Sequence, residues 1–442
     1  MTAMIPPTRD LPEYRGFAGK RLALVETMLH GAFYDGIHTA RRHGLEVWLL
    51  IRDREWYGSP TTWTDHPLSR VDRLVVTDTH DPAAVAAVVT DDAGGPLVDG
   101  VTTFSDYHTE VAATVAQRLG LPGPGPVPFG LANHKHRLRD ALRGCPYTVD
   151  HVLVTDLAQV PGAAARLGFP VVAKPPSEAI SYGVRRADDL PALVTAVAEV
   201  SQIRRSLRGQ PRPGYVLLEP YVEGPEISVE TITIDGVTHL YGVTAKTVGS
   251  PPTFLEKAHV FPAPLDSATR AEVWRVVSEV LSRIGYQQGP AHTELKLTAD
   301  GPKVIEVNPR LPAGDITRMV RDICGRDPHL DSKLLAVGGR PLPPTGEPRG
   351  AAAVVVVYPP AGAGVLAGID GVDDARALPG VRVTVLAEPG DEVWHRVDNS
   401  GRVALVQAYA DGPVSALALA ERAAARLTVR VAAAAPILEV PT

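Results

Sequence analysis

Cysteine is scarce in this chain: two residues, Cys145 and Cys324, among 442. Two thiols so far apart form neither a disulfide framework nor a zinc-binding pattern. They point to a reducing, cytoplasmic setting. Long apolar runs are also missing. A membrane helix needs about 20 predominantly apolar residues, whereas the best apolar stretch, "AAAVVVVYPP" from Ala351 to Pro360, is short and ends in two prolines. It reads as a buried strand. The N-terminal "MTAMIPPTRDLPEYRGFAGK" has no apolar signal core, so no export signal or membrane association is expected. Neither sign of charge is in large excess. The net charge is −6, and a nucleic-acid binder would show a basic domain or stripe. The one arginine cluster, "RRSLRGQPRPG" (Arg204–Gly214), contains glycine and proline and reads as an exposed loop, with an anion or substrate contact as the alternative. No G-x-G-x-x-G follows the first strand, which removes the dinucleotide-binding fingerprint there. Nor is there an internal repeat or a low-complexity tract.

What is present is a soluble globular composition, 45% apolar and 21% charged. From residue 20 to 120, strand candidates "RLALVE", "LEVWLLI", "DRLVV" and "LVDGVTTF" alternate with helix candidates "DGIHTARRH", "DPAAVAAVV" and "TEVAATVAQRLG". Such βαβ alternation predicts a parallel α/β sheet with helices on its faces. "LPGPGPVP" (Leu121–Pro128) then admits neither helix nor central strand. Beyond it, "GFPVVAKP", "GYVLLEP", "EISVETITI", "HLYGVTAKTV", "AHTELKLT" and "KVIEVN" form strands joined by turns such as "IDG" and "ADG". Short turns of this kind predict antiparallel hairpins, hence α+β rather than a second doubly wound sheet. A Pro/Gly-rich stretch, Gly338–Gly350, reads as a second hinge, followed by several strands and one late helix, "PVSALALAERAAARL". Three domains are expected: 1–125, 126–340 (divided into 126–212 and 213–340) and 341–442.

The last strand of the middle domain carries polar residues where a buried strand would be apolar. In "KVIEVNPRLPAGD", strict alternation puts Glu306 and Asn308 on one face with Val304, and packs Ile305 and Val307 behind. The preceding strand puts His292, Glu294 and Lys296 on one side and Leu295 and Leu297 on the other. A hairpin across "TADGPK" brings Glu294 and Glu306 together. Two adjacent buried carboxylates repel, and a divalent cation removes the conflict. Oxygen ligands of this kind suit Mg²⁺, which takes its remaining ligands from water and substrate phosphates. An exposed hairpin with a solvated charged face gives the same pattern. Lys174, ending the apolar strand "GFPVVAKP", suits a phosphate as a point charge, and a surface lysine reads the same way. The loop "SEAISYGV" offers backbone N–H groups, with Gly183 its one glycine. In "LLEPYVEGPEISVE", the connector between Glu219 and Glu226 suits a nucleobase and its ribose.

The order of these motifs resembles the ATP-grasp superfamily over nearly the whole chain: a lysine in "NHKHRL", a second in "VVAKP", then "EPYVEGPE", "HTEL" and "EVNPR". Within it, "TFLEKAHVFPAP", "AHTELKL", "EVNPRLPAGD" and the tail "GIDGVDDARALPGVRVTVLAEPGDEVWHRVDNSGRVALVQA" are similar to carboxylate–amine ligases of the L-amino acid ligase (dipeptide synthetase) type. The resemblance implies an ATP-grasp fold with an N-terminal Rossmann-like (pre-ATP-grasp) domain and a C-terminal lid region. It also implies ATP and two Mg²⁺ ions as cofactors, with Mn²⁺ an alternative. Lys135 and Lys174 are then phosphate contacts beneath a cover containing Ser181 and Gly183, and Lys246 adds a phosphate contact. Glu219, Tyr221 and Val222 line the adenine, and Glu226 meets the ribose. Glu294, Glu306 and Asn308 hold the metal, and Arg310 faces the reacting carboxylate. Glu256, His259, His292 and Gly314 are substrate candidates, as are Tyr107 and His108. The cover is poorer in glycine than is usual, and Pro312 and Ala313 stand where a glycine-richer turn is expected.

The chemistry implied is attack of a carboxylate on the γ-phosphorus, giving an acyl phosphate and ADP, then capture by an amine. Expected partners are small carboxylates and amines, amino acids among them, with a homodimer and no nucleic acid or membrane. A bicarbonate-activating carboxylase and a non-catalytic nucleotide-binding module are the alternatives. His134 and His136 flank Lys135 at a helix start and read as surface residues, and "AGAGVLAG" (Ala361–Gly368) matches the lid pattern rather than a dinucleotide loop.

Overall fold

A computed structural model describes residues 11–28, 32–57, 71–249, 254–344, 348–360, 362–394 and 399–433. Residues 1–10 of the first predicted domain, Thr253 of "TFLEKAHVFPAP", residues 345–347 of the second hinge, Ala361 of "AGAGVLAG" and residues 395–398 of the tail motif lie outside the described residues. The N-terminal part contains β1 (Arg21–Val25), α1 (Ala32–Arg42), β2 (Glu46–Ile51), β3 (Arg73–Val76), α2 (Pro82–Val88), β4 (Gly100–Thr102) and α3 (Thr109–Arg118). The four strands are parallel in the order β3-β2-β1-β4. Their apolar residues feed two cores. Leu22, Leu24, Val47 and Leu49 pack with Phe33 and Ile37 on one face, and Ala23, Val25, Trp48 and Leu50 with Val85 and Val115 on the other. Burial on both faces is why these strands are continuously apolar. The strand order reverses between β1 and β4, and the crevice beyond the carboxyl ends of such strands is where open α/β sheets bind ligands.

Two helices, α4 (Pro126–Asn133) and α5 (Lys135–Ala141), lead to a small antiparallel sheet. It comprises β5 (Val152–Val154), β6 (Val171–Lys174), β7 (Arg185–Ala187) and β8 (Val216–Pro220) in the order β5-β8-β6-β7, backed by α6 (Val160–Leu167) and α7 (Leu190–Ser201). Next come β9 (Glu226–Ile234), β10 (Val237–Val248), β11 (Glu256–Phe261), α8 (Ser267–Arg283), β12 (Gly289–Thr298), β13 (Gly301–Asn308), α9 (Ile316–Cys324) and α10 (Pro328–Ala336). The β9–β10 hairpin turns on Asp235 and Gly236, with φ of 50° and 78°. Positive φ at both central residues is the two-residue turn whose twist matches the strands it joins.

The C-terminal part adds β14 (Ala351–Val357), β15 (Ala363–Asp370), α11 (Val372–Arg376), β16 (Val381–Val385), β17 (Glu392–Trp394), β18 (Ala404–Ala410), α12 (Pro413–Ala424) and β19 (Thr428–Ala433). β14 pairs with β11, so an eight-stranded sheet, β13-β12-β9-β10-β11-β14-β18-β16, runs without a break past residue 340. "AGAGVLAG" contributes to strand β15 of a three-stranded sheet β17-β15-β19 and makes no dinucleotide loop.

One register differs from strict alternation. Glu294 pairs with Glu306, but Leu295 pairs with Val304, leaving Ile305 as an extra residue in β13. Two residues opposing one is a β-bulge. As a result Val304 and Val307 both enter the core under α8, while Ile305 and Glu306 both line the cleft above. Val304 therefore does not share a face with Glu306, and Ile305 does not pack behind it.

Candidate active site

The cleft lies between the small sheet and the β9–β13 portion of the large one, and encloses about 1290 Å³ including its open mouth. From the small sheet, β6 ends in Lys174 and β8 presents Glu219, followed by Tyr221 and Val222. From the large sheet come Glu226, Lys246, Glu256, His259, His292, Glu294 and Glu306. Lys135 enters at the start of α5, Ser181 from the loop after β6, and Arg310 just past β13. All the predicted site residues meet here except Asn308, Gly314, Gly183, Tyr107 and His108. Asn308 lines a smaller adjoining pocket, where its Nδ2 donates to Glu306 Oε1 at 2.9 Å. Gly314 lines a second chamber. Gly183 belongs to the loop but not to the lining.

The charges answer one another in small clusters. Lys135 Nζ stands 2.9 Å from Glu306. Lys246 Nζ sits among Glu294 at 2.6 Å, Glu256 at 2.9 Å and Glu226 at 3.2 Å. Lys174 meets Glu219 at 2.6 Å, and Arg139 meets the same carboxylate at 2.8 Å. Burial pushes these carboxyls up, and the cations overrule it. Arg139 and Lys174 bring Glu219 down to about 2. Lys135 holds Glu306, and Lys246 holds Glu294, below the usual carboxylate range. Glu226 is the exception, raised by burial against the pull of Lys246. His292 bridges Glu230 at 2.8 Å and Glu294 at 3.0 Å. Burial disfavours its cation, but Glu230 outweighs burial and lifts it to about 9. His259 is buried with its Nε2 3.4 Å from Glu256.

Several residues that hold the cleft together carry no sequence signal. Arg139 is buried in α5, and its Nη2 donates to the carbonyl of Ile305 at 2.7 Å. A bulge leaves backbone groups unpaired, and this donor answers one of them. Asp106, after β4, grips Arg310 through Nε at 2.5 Å and Nη2 at 2.9 Å, while Nη1 donates to Leu311 O at 2.9 Å. Five N–H groups on a guanidinium leave two still available. Arg402 and Asn399, from the C-terminal part, close one end of the cleft. The sparse glycine of the covering loop has a backbone consequence. Ile180 and Ser181 adopt φ of 53° and 61°. A β-branched residue there is strained, and such strain concentrates at ligand clamps.

The Mg²⁺ prediction can be tested on the donor set. Glu294 and Glu306 face each other across the hairpin, and both line the cleft. Among the described residues no group of three or more His, Cys, Asp or Glu side chains forms a self-contained metal cage. Two carboxylates with open neighbouring volume fit an ion that keeps waters and draws on phosphates.

A second chamber adjoins the cleft and shares Ala313, Asn399 and Arg402 with it. It encloses about 2170 Å³ with its mouth and is mainly apolar. It opens beyond the carboxyl ends of β1 and β4, at Thr27, Met28, Ser105 and Asp106. Gly314 belongs here. Its φ is +65°, and a Cβ would come within 2.8 Å of the His259 ring. Tyr107 lines this chamber, whereas His108 is turned inward against Ser105 and Thr79. The arginine cluster is not simply exposed. Its loop joins α7 to β8, and Leu207 and Arg208 form part of the chamber wall. His134 is half-buried, with its Nε2 2.9 Å from Glu110.

Comparison with known proteins agrees with this geometry. Residues 167–319 match the ATP-grasp domain family, 37–123 the ATP-grasp N-terminal domain, and 357–432 the L-amino acid ligase C-terminal domain 2. Chicken (Gallus gallus) carnosine synthase 1 is 29% identical over 322 residues, 69% of this chain but 34% of that protein. The chain thus spans about a third of that relative's length. Alanine–anticapsin ligase of Bacillus subtilis is 26% identical over 251 residues, 52% of each chain. The crystal structure of L-amino acid ligase from Bacillus licheniformis superposes with a TM-score of 0.78 at 24% identity, over 94% of this chain and 99% of that one. Residues 37–123 and 167–319 thus carry the N-terminal and central domains of the ATP-grasp family, and residues 357–432 an L-amino acid ligase C-terminal domain 2, in a chain with the fold of a known L-amino acid ligase.

Proposed function

We propose that the protein is an ATP-dependent, ADP-forming carboxylate–amine ligase that makes an amide bond through an acyl phosphate, with an amino acid among its substrates. One observation carries this reading: Glu294 and Glu306 are paired across a hairpin inside a cleft ringed by Lys135, Lys174, Lys246 and Arg310. The L-amino acid ligase C-terminal domain favours an organic carboxylate over bicarbonate as the acid that ATP activates. The proposed parts are the three segments 1–125, 126–340 and 341–442, with the nucleotide between the two subdomains of the middle one.

In this reading Lys135 and Lys246 exchange a carboxylate for a phosphate when nucleotide enters, while Lys174 keeps Glu219 and Arg310 keeps Asp106. Lys135, Lys174 and Lys246 neutralise the triphosphate, and the loop with Ser181 and Gly183 covers it. Tyr221 and Val222 flank the adenine, and Glu219 acts by fixing Lys174. Glu226 takes the ribose hydroxyls. Glu294, Glu306 and Asn308 hold two magnesium ions, for which manganese substitutes, and His292 fixes Glu294. Magnesium neutralises charge developing on the phosphoryl oxygens. Arg310, held by Asp106, turns its remaining N–H groups to the acid. It steadies the oxyanion formed when the amine attacks, and its charge is permanent. Glu256, His259 and Gly314 shape the junction with the second chamber, through which acid and amine arrive. The same reading expects a homodimer in a reducing cytoplasm, where Cys145 and Cys324, neither of them in a disulfide, stay reduced.

Hydroxylamine intercepts acyl phosphates. Incubation with ATP, Mg²⁺, hydroxylamine and pooled carboxylic acids is therefore expected to yield ADP and a hydroxamate. ADP release that depends on bicarbonate would point to a carboxylase instead. No ADP over a broad panel would leave only nucleotide binding.

A further inference from the structure

The loop Arg204–Gly214 belongs to the small subdomain, yet its contacts reach elsewhere. Arg208 Nη2 donates to Glu26, after β1, at 2.7 Å, and its guanidinium lies 4.6 Å over the ring of Trp56. Gln210 Nε2 donates to the carbonyl of Tyr107 at 2.6 Å. Arg212 donates to Glu178 at 2.9 Å and to the carbonyl of Ser177 at 3.0 Å, both at the head of the nucleotide-covering loop. These links continue to the reacting centre. Tyr107 Oη donates to Glu178 at 2.9 Å, Lys135 Nζ to the Glu178 carbonyl at 2.8 Å, and Asp106, beside Tyr107, grips Arg310. Glu26 itself is built for this contact. It is a buried non-glycine residue at φ +59°, and its carboxylate also accepts from Tyr57, from Thr79 at 2.9 Å and from the backbone of Arg52 at 2.7 Å. A strained residue with so many donors on one carboxylate is held ready for a partner. Arg204 and Arg205, in contrast, reach only carbonyls of their own loop.

We propose that this loop is a latch that completes the acid-substrate chamber and ties it to the nucleotide cover, with Arg208 and Gln210 as its positioning residues. Leu207 and Arg208 wall the chamber only while Glu26 and Tyr107 hold the loop against the N-terminal sheet. The closed latch keeps water from the acyl phosphate, since water attacking that carbonyl returns the acid and releases phosphate.

The inference rests on the ligase reading, and its test separates the two. Wild type, R208A, R208K, Q210A, R204A and R205A are compared in the hydroxamate assay, with ATP affinity measured separately without acid. R208A and Q210A are expected to raise the acid KM by about tenfold and to release more phosphate than hydroxamate, with ATP affinity unchanged. R208K is expected to recover part of the loss, and R204A and R205A to match wild type. If R208A does not fold, Q210A, which removes the hydrogen bond to Tyr107 and a long one from Ser206 within the loop, gives the same readout. A wild type that makes hydroxamate alongside an unaffected R208A and Q210A overturns the latch alone. So does ATP affinity falling as far as acid affinity. A wild type that makes no hydroxamate from any acid overturns the ligase reading, and the latch with it.

Discussion

At the scale of single residues, the site is a set of charges that exist only because others answer them. His292 shows the consequence for pH. Its pKa, about 9 in the folded protein, lies above the unfolded value of about 6.5. A raised folded pKa contributes stability that is complete below the unfolded value and is lost as pH rises through the folded one. Nucleotide-free protein is therefore expected to lose stability between about pH 6.5 and 9. A His292→Gln variant lacks that part of the slope. An NMR titration placing the ring near its ordinary value would contradict the assignment. Arg310→Ala is expected to cut turnover by about 10²–10³, the worth of one oxyanion donor at roughly 2.7–4 kcal/mol, with ATP affinity retained. Single-turnover kinetics beside equilibrium ATP binding distinguish that from a general collapse of the site. Lysines and glutamates inside apolar strands were readable from sequence because they break a pattern. Asp106 and Arg139 were not, because their partners Arg310 and Ile305 lie 204 and 166 residues away.

At the scale of elements, the hairpin that carries the acids is shaped by its bulge. Alternation alone pairs Val304 with Glu306 on one face, whereas the extra Ile305 sends Val304 into the core. The difference is measurable by denaturant unfolding. Val304→Ala is expected to cost about 2 kcal/mol, as for two buried methyl groups. A cost below about 0.5 kcal/mol, typical of surface positions, would mean the strand is regular. Period-two patterning predicted the strands and the convergence of Glu294 and Glu306, because burial on one face fixes register. It could not predict the bulge, which depends on a buried arginine from α5 that donates to the freed carbonyl.

At the scale of the whole molecule, three regions of sequence build one chemical space. The parallel sheet offers the ends of β1 and β4, the middle region offers lysines and carboxylates, and the C-terminal part adds Arg402 and Asn399. Periodicity and the Pro/Gly-rich stretches made the α/β and α+β halves visible in sequence. The unbroken eight-stranded sheet past residue 340 was hidden, since nothing local says that β14 pairs with β11. The contacts of the arginine loop were hidden for the same reason: composition says loop, and only assembly shows that Leu207 and Arg208 reach the chamber wall. No helix among the described residues is long and apolar enough to cross a membrane.

The pairing of Glu294 with Glu306 matters most, and calorimetry of ATP binding with and without Mg²⁺ probes it directly. Wild type is expected to bind tightly only when the ion is present, and a Glu294→Gln, Glu306→Gln double variant to bind weakly and alike in both conditions. A double variant that keeps the magnesium-dependent gain in affinity would show that these two carboxylates do not hold the ion.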